Sequence, residues 1–200
     1  MPLNRFDRIF FINLDRRKDR REHTERLLNN LGVDHERIER ISAVDSENGS
    51  LGCALSHIIV LEKIKSFGYK NALIIEDDII QNTDDLESSL SVLDNLDYDL
   101  VMLSGNIIRY ENVSDGIQRI MEAQTTAAYT VGINFVDKLI DSFRESVHML
   151  KQNTHPDYAA IDQNWKKLQP VSKWYGISPM PFRQMSGYSD IEKINVDYRC

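Results

Sequence analysis

The chain reads as an α/β protein with a mostly parallel central sheet flanked by helices. Apolar runs of strand length alternate with amphipathic helical stretches from one end to the other. Two of those runs, Arg8-Ile-Phe-Phe-Ile-Asn-Leu14 and Ala72-Leu-Ile-Ile75, read as buried strands. Glycines close the first two helices, as the left-handed residue after a helix requires. No internal repeat, low-complexity tract or linker breaks the pattern, so residues 1–200 read as one domain.

The elements follow in order. Residues 8–14 form the first strand, and Asp15 is placed to cap the helix after it. Thr24, Leu27, Leu28 and Leu31 share one face of that helix, which Gly32 ends. A second strand spans residues 38–44 and leads into Asp45. A helix over 52–67 places Ala54, His57, Ile58, Leu61 and Ile64 on one face and stops at Gly68. The next strand runs from Ala72 into Glu76, Asp77 and Asp78. Thr83 or Asp84 starts a third helix with Leu86, Leu90 and Leu93 inward. Strands follow at 99–104 and 125–131. Asn134 is expected to cap a long helix carrying Phe135, Leu139, Phe143, Val147 and Leu150. A shorter helix covers 158–168, a short strand 174–178, and the tail from Met180 reads as irregular.

Composition narrows the function. Net charge is −7 and the isoelectric point about 5.2, which argues against nucleic-acid binding driven by phosphate contacts. No apolar run has bilayer-spanning length, and the first residues show no secretory h-region. Cys53 and Cys200 give neither a disulfide framework nor zinc spacing. A reducing, cytoplasmic setting is expected, with peripheral contact at a membrane face left open.

The chemistry gathers where strands end. In an open α/β sheet, ligands bind beyond the carboxyl ends of strands. Asn13, Asp15 and Arg16 follow strand one, Asp45 follows strand two, and Glu76, Asp77 and Asp78 end strand three. Three carboxylates at one edge repel one another unless a cation sits among them, and hard divalent cations prefer such oxygens. A base and ribose suit the asparagine and aspartates, and Arg16 and Arg20 suit a diphosphate. The plainer alternative for the acids is a solvated turn capping the next helix, and for the basic run an exposed helix face. Gly52-Cys-Ala-Leu-Ser-His57 opens the second helix. Gly52 permits close backbone approach there, and Ser56 and His57 add donors for an anion; a helix start with one buried histidine explains the same residues. Cys53 lacks a base partner and reads as a structural thiol. Asp162, near a helix start, suits a general base toward an acceptor hydroxyl, or a dipole-stabilised helix charge. Gln184, Ser189 and Asp190 lie in a polar, aromatic tail that either folds over a ligand or is a mobile terminus.

Taken together, these motifs resemble glycosyltransferase family 25, the family of bacterial lipooligosaccharide galactosyltransferases and collagen galactosyltransferases. Phe11-Ile-Asn-Leu-Asp-Arg-Arg-Lys-Asp-Arg20 resembles its first motif, and Ala43-Val-Asp45 its second-strand end. Gly52-Cys-Ala-Leu-Ser-His57 resembles its most recognisable motif, and Ala72-Leu-Ile-Ile-Glu-Asp-Asp78 its acidic metal motif. Ala128-Tyr129, Ile161-Asp162, Gln184 and Ser189-Asp190 match weaker positions, so the resemblance spans residues 8–191. It implies a GT-A-type domain, a UDP-sugar donor (usually UDP-galactose), Mn²⁺ or Mg²⁺, and inversion at the sugar carbon. The chain lacks the C-terminal basic and hydrophobic stretch that bacterial relatives would use at membranes. Thr130-Val-Gly-Ile-Asn134 also departs from the family's small-residue stretch. These departures bear on the acceptor and the sugar more than on the fold.

The expected reaction is hexose transfer from a UDP-sugar to a hydroxyl of a glycan, a lipooligosaccharide or a collagen-like hydroxylysine. Alternation along an extended segment would point Glu76 and Asp78 the same way and Asp77 opposite. Asp78 is then the metal ligand, with Glu76 on the ribose or on a metal-bound water, and Asp162 is the base. A non-catalytic nucleotide-sugar binding module and a metal-dependent phosphohydrolase are the rival readings.

Overall fold

A computed structural model describes residues 1–197. Strand β1 (Arg8–Asn13) lies between β2 (Ile38–Ser42) and β3 (Asn71–Glu76), parallel to both. Beyond β3 come β6 (Ile117–Gly132), β5 (Leu100–Ser114) and β7 (Trp174–Ile177), completing a six-stranded sheet of order β2-β1-β3-β6-β5-β7. Only β6 runs against the rest, so the sheet is mostly parallel as expected.

Alternation along the strands sorts the core into two layers. Phe10, Ile12, Ala72 and Ile74 face helices α2 (Gly49–Phe67) and α4 (Val136–Lys151), with Trp165 and Trp174 in the same layer. Ile9, Phe11, Leu73 and Ile75 face the other way, where Leu28 of α1 (Lys18–Asn30) and Leu86 and Leu90 of α3 (Leu86–Ser91) cover them. Each of these fully buried apolar side chains contributes about 1.5–3 kcal/mol relative to exposure. The same alternation aims the strand ends: Glu76 continues the α2 layer, and Asn13 the α1 layer.

Several elements depart from the sequence expectation. Asp15 does not cap α1; Arg17 stands at that position, and Asp15 pairs with Arg40 instead. Strand β2 stops at Ser42. Helix α2 begins at Gly49, because the Asn48 side chain accepts the Leu51 N–H at 3.1 Å and starts it earlier. Helix α3 is capped by Asp85 rather than Thr83 or Asp84. Asn134 does not cap α4 but lies in a 3-10 turn, Ile133–Phe135, that feeds it. The helix expected over 158–168 is broken into α5 (Pro156–Ala159), α6 (Ile161–Asn164) and a 3-10 stretch, Trp165–Val171, because Ala160 is extended.

Strands β5 and β6 run well past the expected segments into a long hairpin that turns at Asp115-Gly116, with Gly116 at φ +73°. The tail is also more ordered than expected. There, β8 (Phe182–Gln184) pairs with β4 (Ile79–Gln81), and β9 (Gly187–Tyr188) with β10 (Asn195–Val196). Among the described residues, no helix is long and apolar enough to cross a membrane. Cys200 lies outside the described residues.

Candidate active site

The strand register builds the site. Ile12 stands opposite Glu76 and Asn13 opposite Ser42, so the chain leaves β1 beside the turn that follows β3. That turn is Asp77-Asp78, and the extended alternation expected for Glu76 to Asp78 ends at Glu76. Asp77 and Asp78 therefore do not point apart. Both accept from one Arg20 nitrogen, Nη1, at 3.1 and 3.0 Å. Arg20 also donates through Nη2 to the Tyr188 carbonyl at 2.8 Å. The cation among the acids is thus a side chain in the first turn of α1.

Asp77 is committed to the fold. Its Oδ2 accepts from Asn13 Nδ2 at 2.6 Å, and its carbonyl accepts from Thr24 at 3.1 Å. Asn13 in turn accepts from Arg40 Nε at 3.0 Å. Asp78 is less satisfied: its Oδ1 is buried with no hydrogen-bond partner among the described residues. Burial, then the neighbouring Glu76 charge, pushes the Asp78 carboxyl up to about 7, against the pull of Arg20. Burial also raises Asp77.

Glu76 points into the α2 layer. Its Oε1 accepts from Thr126 of β6 at 2.7 Å and lies 3.4 Å from His57 Nε2. His57 Nδ1 is 2.9 Å from the Tyr129 hydroxyl, and the two rings stack with centroids 5.8 Å apart. Burial opposes the Glu76 charge, but the bonds from His57 and Thr126 hold its carboxyl below the ordinary value. Asp162, in the first turn of α6, accepts the Thr125 N–H at 3.0 Å and steadies that residue at φ +82°. Burial raises the Asp162 carboxyl, and its charge and that of Glu76 repel.

The tail closes the edge from outside. Gln184 is buried opposite Ile79 and favours the charged form of Asp78. Asp190 bridges Arg16 at 2.9 Å and Arg17 at 2.5 Å, and these pairs hold its carboxyl low against burial. Ser189 accepts the Glu192 N–H at 3.1 Å. The tail also lies against the start of α2, where a Cβ on Gly49 would meet Ile191 Cα at 2.8 Å.

The sequence-predicted residues fall in four places. Asn13, Arg20, Glu76, Asp77, Asp78, Asp162 and Gln184 come together at this edge. Arg16, Ser189 and Asp190 stand on its tail side. Asp15 and Asp45 are exposed on the rim, paired with Arg40 and Arg16 respectively. Gly52 and Ser56 serve the fold. A Cβ on Gly52 would come within 2.4 Å of the Val44 carbonyl, so its close approach is to the chain itself. Ser56 donates to the Gly52 carbonyl at 2.7 Å and accepts the Val44 N–H at 2.8 Å. Arg17, Arg40 and Thr126 join the network without having been singled out, as does Tyr129, whose only mark in the sequence is a weak family match. Their partners are distant in sequence, so no local spacing marks them. A cleft of about 400 Å³ lined by Lys70, Tyr98, Asp99 and Lys173 opens at the opposite end of the sheet and contains none of these residues.

Comparison with known proteins gives consistent results. The model of glycosyltransferase family 25 (LPS biosynthesis protein) matches residues 47–126, which hold α2 and the acidic turn. Procollagen galactosyltransferase 2 from Homo sapiens is 25% identical over 68% of this chain and 27% of its own length. Procollagen galactosyltransferase 1 from Danio rerio is 27% identical over 68% of this chain and 28% of its own. The chain therefore spans little more than a quarter of these relatives. A solved glycosyltransferase involved in glycosylation of the major capsid of PBCV-1 superposes with a TM-score of 0.52, at 11% identity over 92% of this chain and 95% of that one. The fold is thus of the GT-A type. In its motifs, in the family model that matches its centre and in its curated relatives, the chain resembles glycosyltransferase family 25.

Proposed function

We propose that the protein is a metal-dependent glycosyltransferase, moving a hexose from a UDP-sugar to an acceptor hydroxyl with inversion. Galactose is the first sugar to test, because both relatives above are named galactosyltransferases. A glycan or lipooligosaccharide, or a collagen-like hydroxylysine, is the acceptor class. A single catalytic domain over residues 1–200, a cytoplasmic working place and peripheral membrane contact belong to the same reading.

The observation that carries the proposal is the acidic turn at the edge of the sheet. It gathers three carboxylates, and one buried oxygen, Asp78 Oδ1, has no partner among the described residues. An unpaired oxygen among hard donors fits Mn²⁺ or Mg²⁺. Asp78 would hold the ion, with Glu76 beside it or on a bound water. Such an ion, when bound, supplies positive charge to the diphosphate and to the UDP leaving group.

The remaining steps fall to the chain itself. Asn13 and the rim aspartates Asp15 and Asp45 suit the nucleoside side, and Arg16 and Arg20 the phosphate side. The tail from Gln184 to Asp190 shields the edge. Asp162 takes the acceptor proton as the acceptor oxygen bonds to the anomeric carbon and the bond to UDP breaks. A raised carboxyl is suited to that task. Release of UDP from UDP-galactose and UDP-glucose should be measured with Mn²⁺ and with EDTA. Metal-dependent release that disappears in Asp78→Ala is the expected result. Phosphate release from simple esters without any sugar nucleotide would instead favour a phosphohydrolase.

A further inference from the structure

The transfer reading gives no task to the Cys53 thiol beside the acidic turn. We propose that Cys53, His57 and Glu76 form a second divalent-cation site, of the zinc type, separate from the hard-cation position at Asp78. The sulfur, the ring nitrogen and a carboxylate oxygen all lie within 4.8 Å of one another. Four-residue spacing sets Cys53 and His57 on the same face of α2, and β3 delivers Glu76 to that face. In a tetrahedral zinc site with bonds of ~2.0–2.3 Å, neighbouring ligand atoms stand roughly 3.3–3.8 Å apart. His57 Nε2 and Glu76 Oε1, 3.4 Å apart, already stand at that spacing.

The surroundings orient the histidine for a metal. Tyr129 lies 2.9 Å from His57 Nδ1. In the metal-bound form Nδ1–H would donate to that hydroxyl, and Nε2 would cease to donate to Glu76 and turn its lone pair to the ion. Metal-bound histidines are oriented by such a partner. Thiolate, imidazole and carboxylate together select Zn²⁺ over Mg²⁺ or Mn²⁺. The thiol proton leaves to solvent when the metal binds. Three protein ligands leave a fourth position for water. Because Glu76 is shared, filling this site withdraws a carboxylate from the Asp78 side. This inference stands on the triad's geometry and does not require that the protein transfer sugar.

Cobalt is the probe, because its thiolate complexes absorb in the near ultraviolet and its tetrahedral complexes in the visible. The chain has two cysteines, so the Cys200→Ser protein carries Cys53 as its sole thiol. Titrating Co²⁺ into it should give a thiolate-to-cobalt band that saturates near about one equivalent, as a single zinc-type site requires, and that Zn²⁺ removes. Adding Cys53→Ser should abolish the band, and adding Asp78→Asn should leave it. Circular dichroism reports whether each variant is folded. No thiolate band in the folded Cys200→Ser protein overturns the proposal. Loss of the band in folded Asp78→Asn also overturns it, since the two positions would then be one.

Discussion

Asp78 should make the metal-free protein less stable as pH rises. The residue is 7% exposed, and its carboxyl lies among Glu76 and Asp77 and is pushed from the ordinary 3.8 up to about 7. Between those values the folded chain holds a proton that the unfolded chain has released. The unfolding free energy therefore falls as pH climbs from about 4 to about 7 and is level above that. At 1.36 kcal/mol per pKa unit, the full difference is on the order of 4 kcal/mol. Asp78→Asn removes the ionisation while keeping the shape, although it weakens the bond to Arg20. In EDTA at pH 8 the variant should be more stable than wild type by at least about 1 kcal/mol, which raises the melting temperature by roughly 2–4 °C for a chain of this size. The advantage should shrink as pH falls and vanish below about pH 4. Urea unfolding across that range is the assay. A variant less stable than wild type at pH 8, or a difference that does not change with pH, would refute the reasoning.

Other substitutions separate fold from chemistry. Arg20→Met leaves Asp77 and Asp78 without their shared guanidinium and should cost about 3–5 kcal/mol in EDTA, measured by denaturant unfolding. Gly52→Ala drives a Cβ into the Val44 carbonyl and should destabilise the protein by ~1–3 kcal/mol, read by calorimetry. Asp162→Asn keeps an oxygen for the Thr125 N–H but cannot take a proton. Turnover of a UDP-sugar should fall by ~10²–10⁴ while UDP affinity stays near wild type, and collapse of UDP affinity would make Asp162 a donor-site or structural residue.

The gathering of Asn13 and Glu76 to Asp78 at one edge was legible because parallel strands put their carboxyl ends together, and the apolar runs announced those strands. Side-chain direction was less legible. The expected alternation through Asp78 assumed extended backbone, yet β3 ends at Glu76 and the turn brings Asp77 and Asp78 to the same arginine. Gly52 reads as a ligand-facing glycine until Val44 is seen against it. Arg17 looks like part of a solvated face until the tail folds back and sets Asp190 on it. Thr126 and Tyr129 depend on β6 running antiparallel to β3, a register that no local pattern encodes. The far hairpin of β5 and β6 went unread because its β5 arm is largely exposed past Gly105, and its buried Ile120 and Ala123 are too few to mark a strand by periodicity.

Calorimetric titration of UDP, with Mn²⁺ and with EDTA, into wild type and Asp78→Ala tests the central claim most directly. The account predicts micromolar binding that requires both the metal and Asp78. Binding that is absent, or equally tight in EDTA or without Asp78, would contradict it.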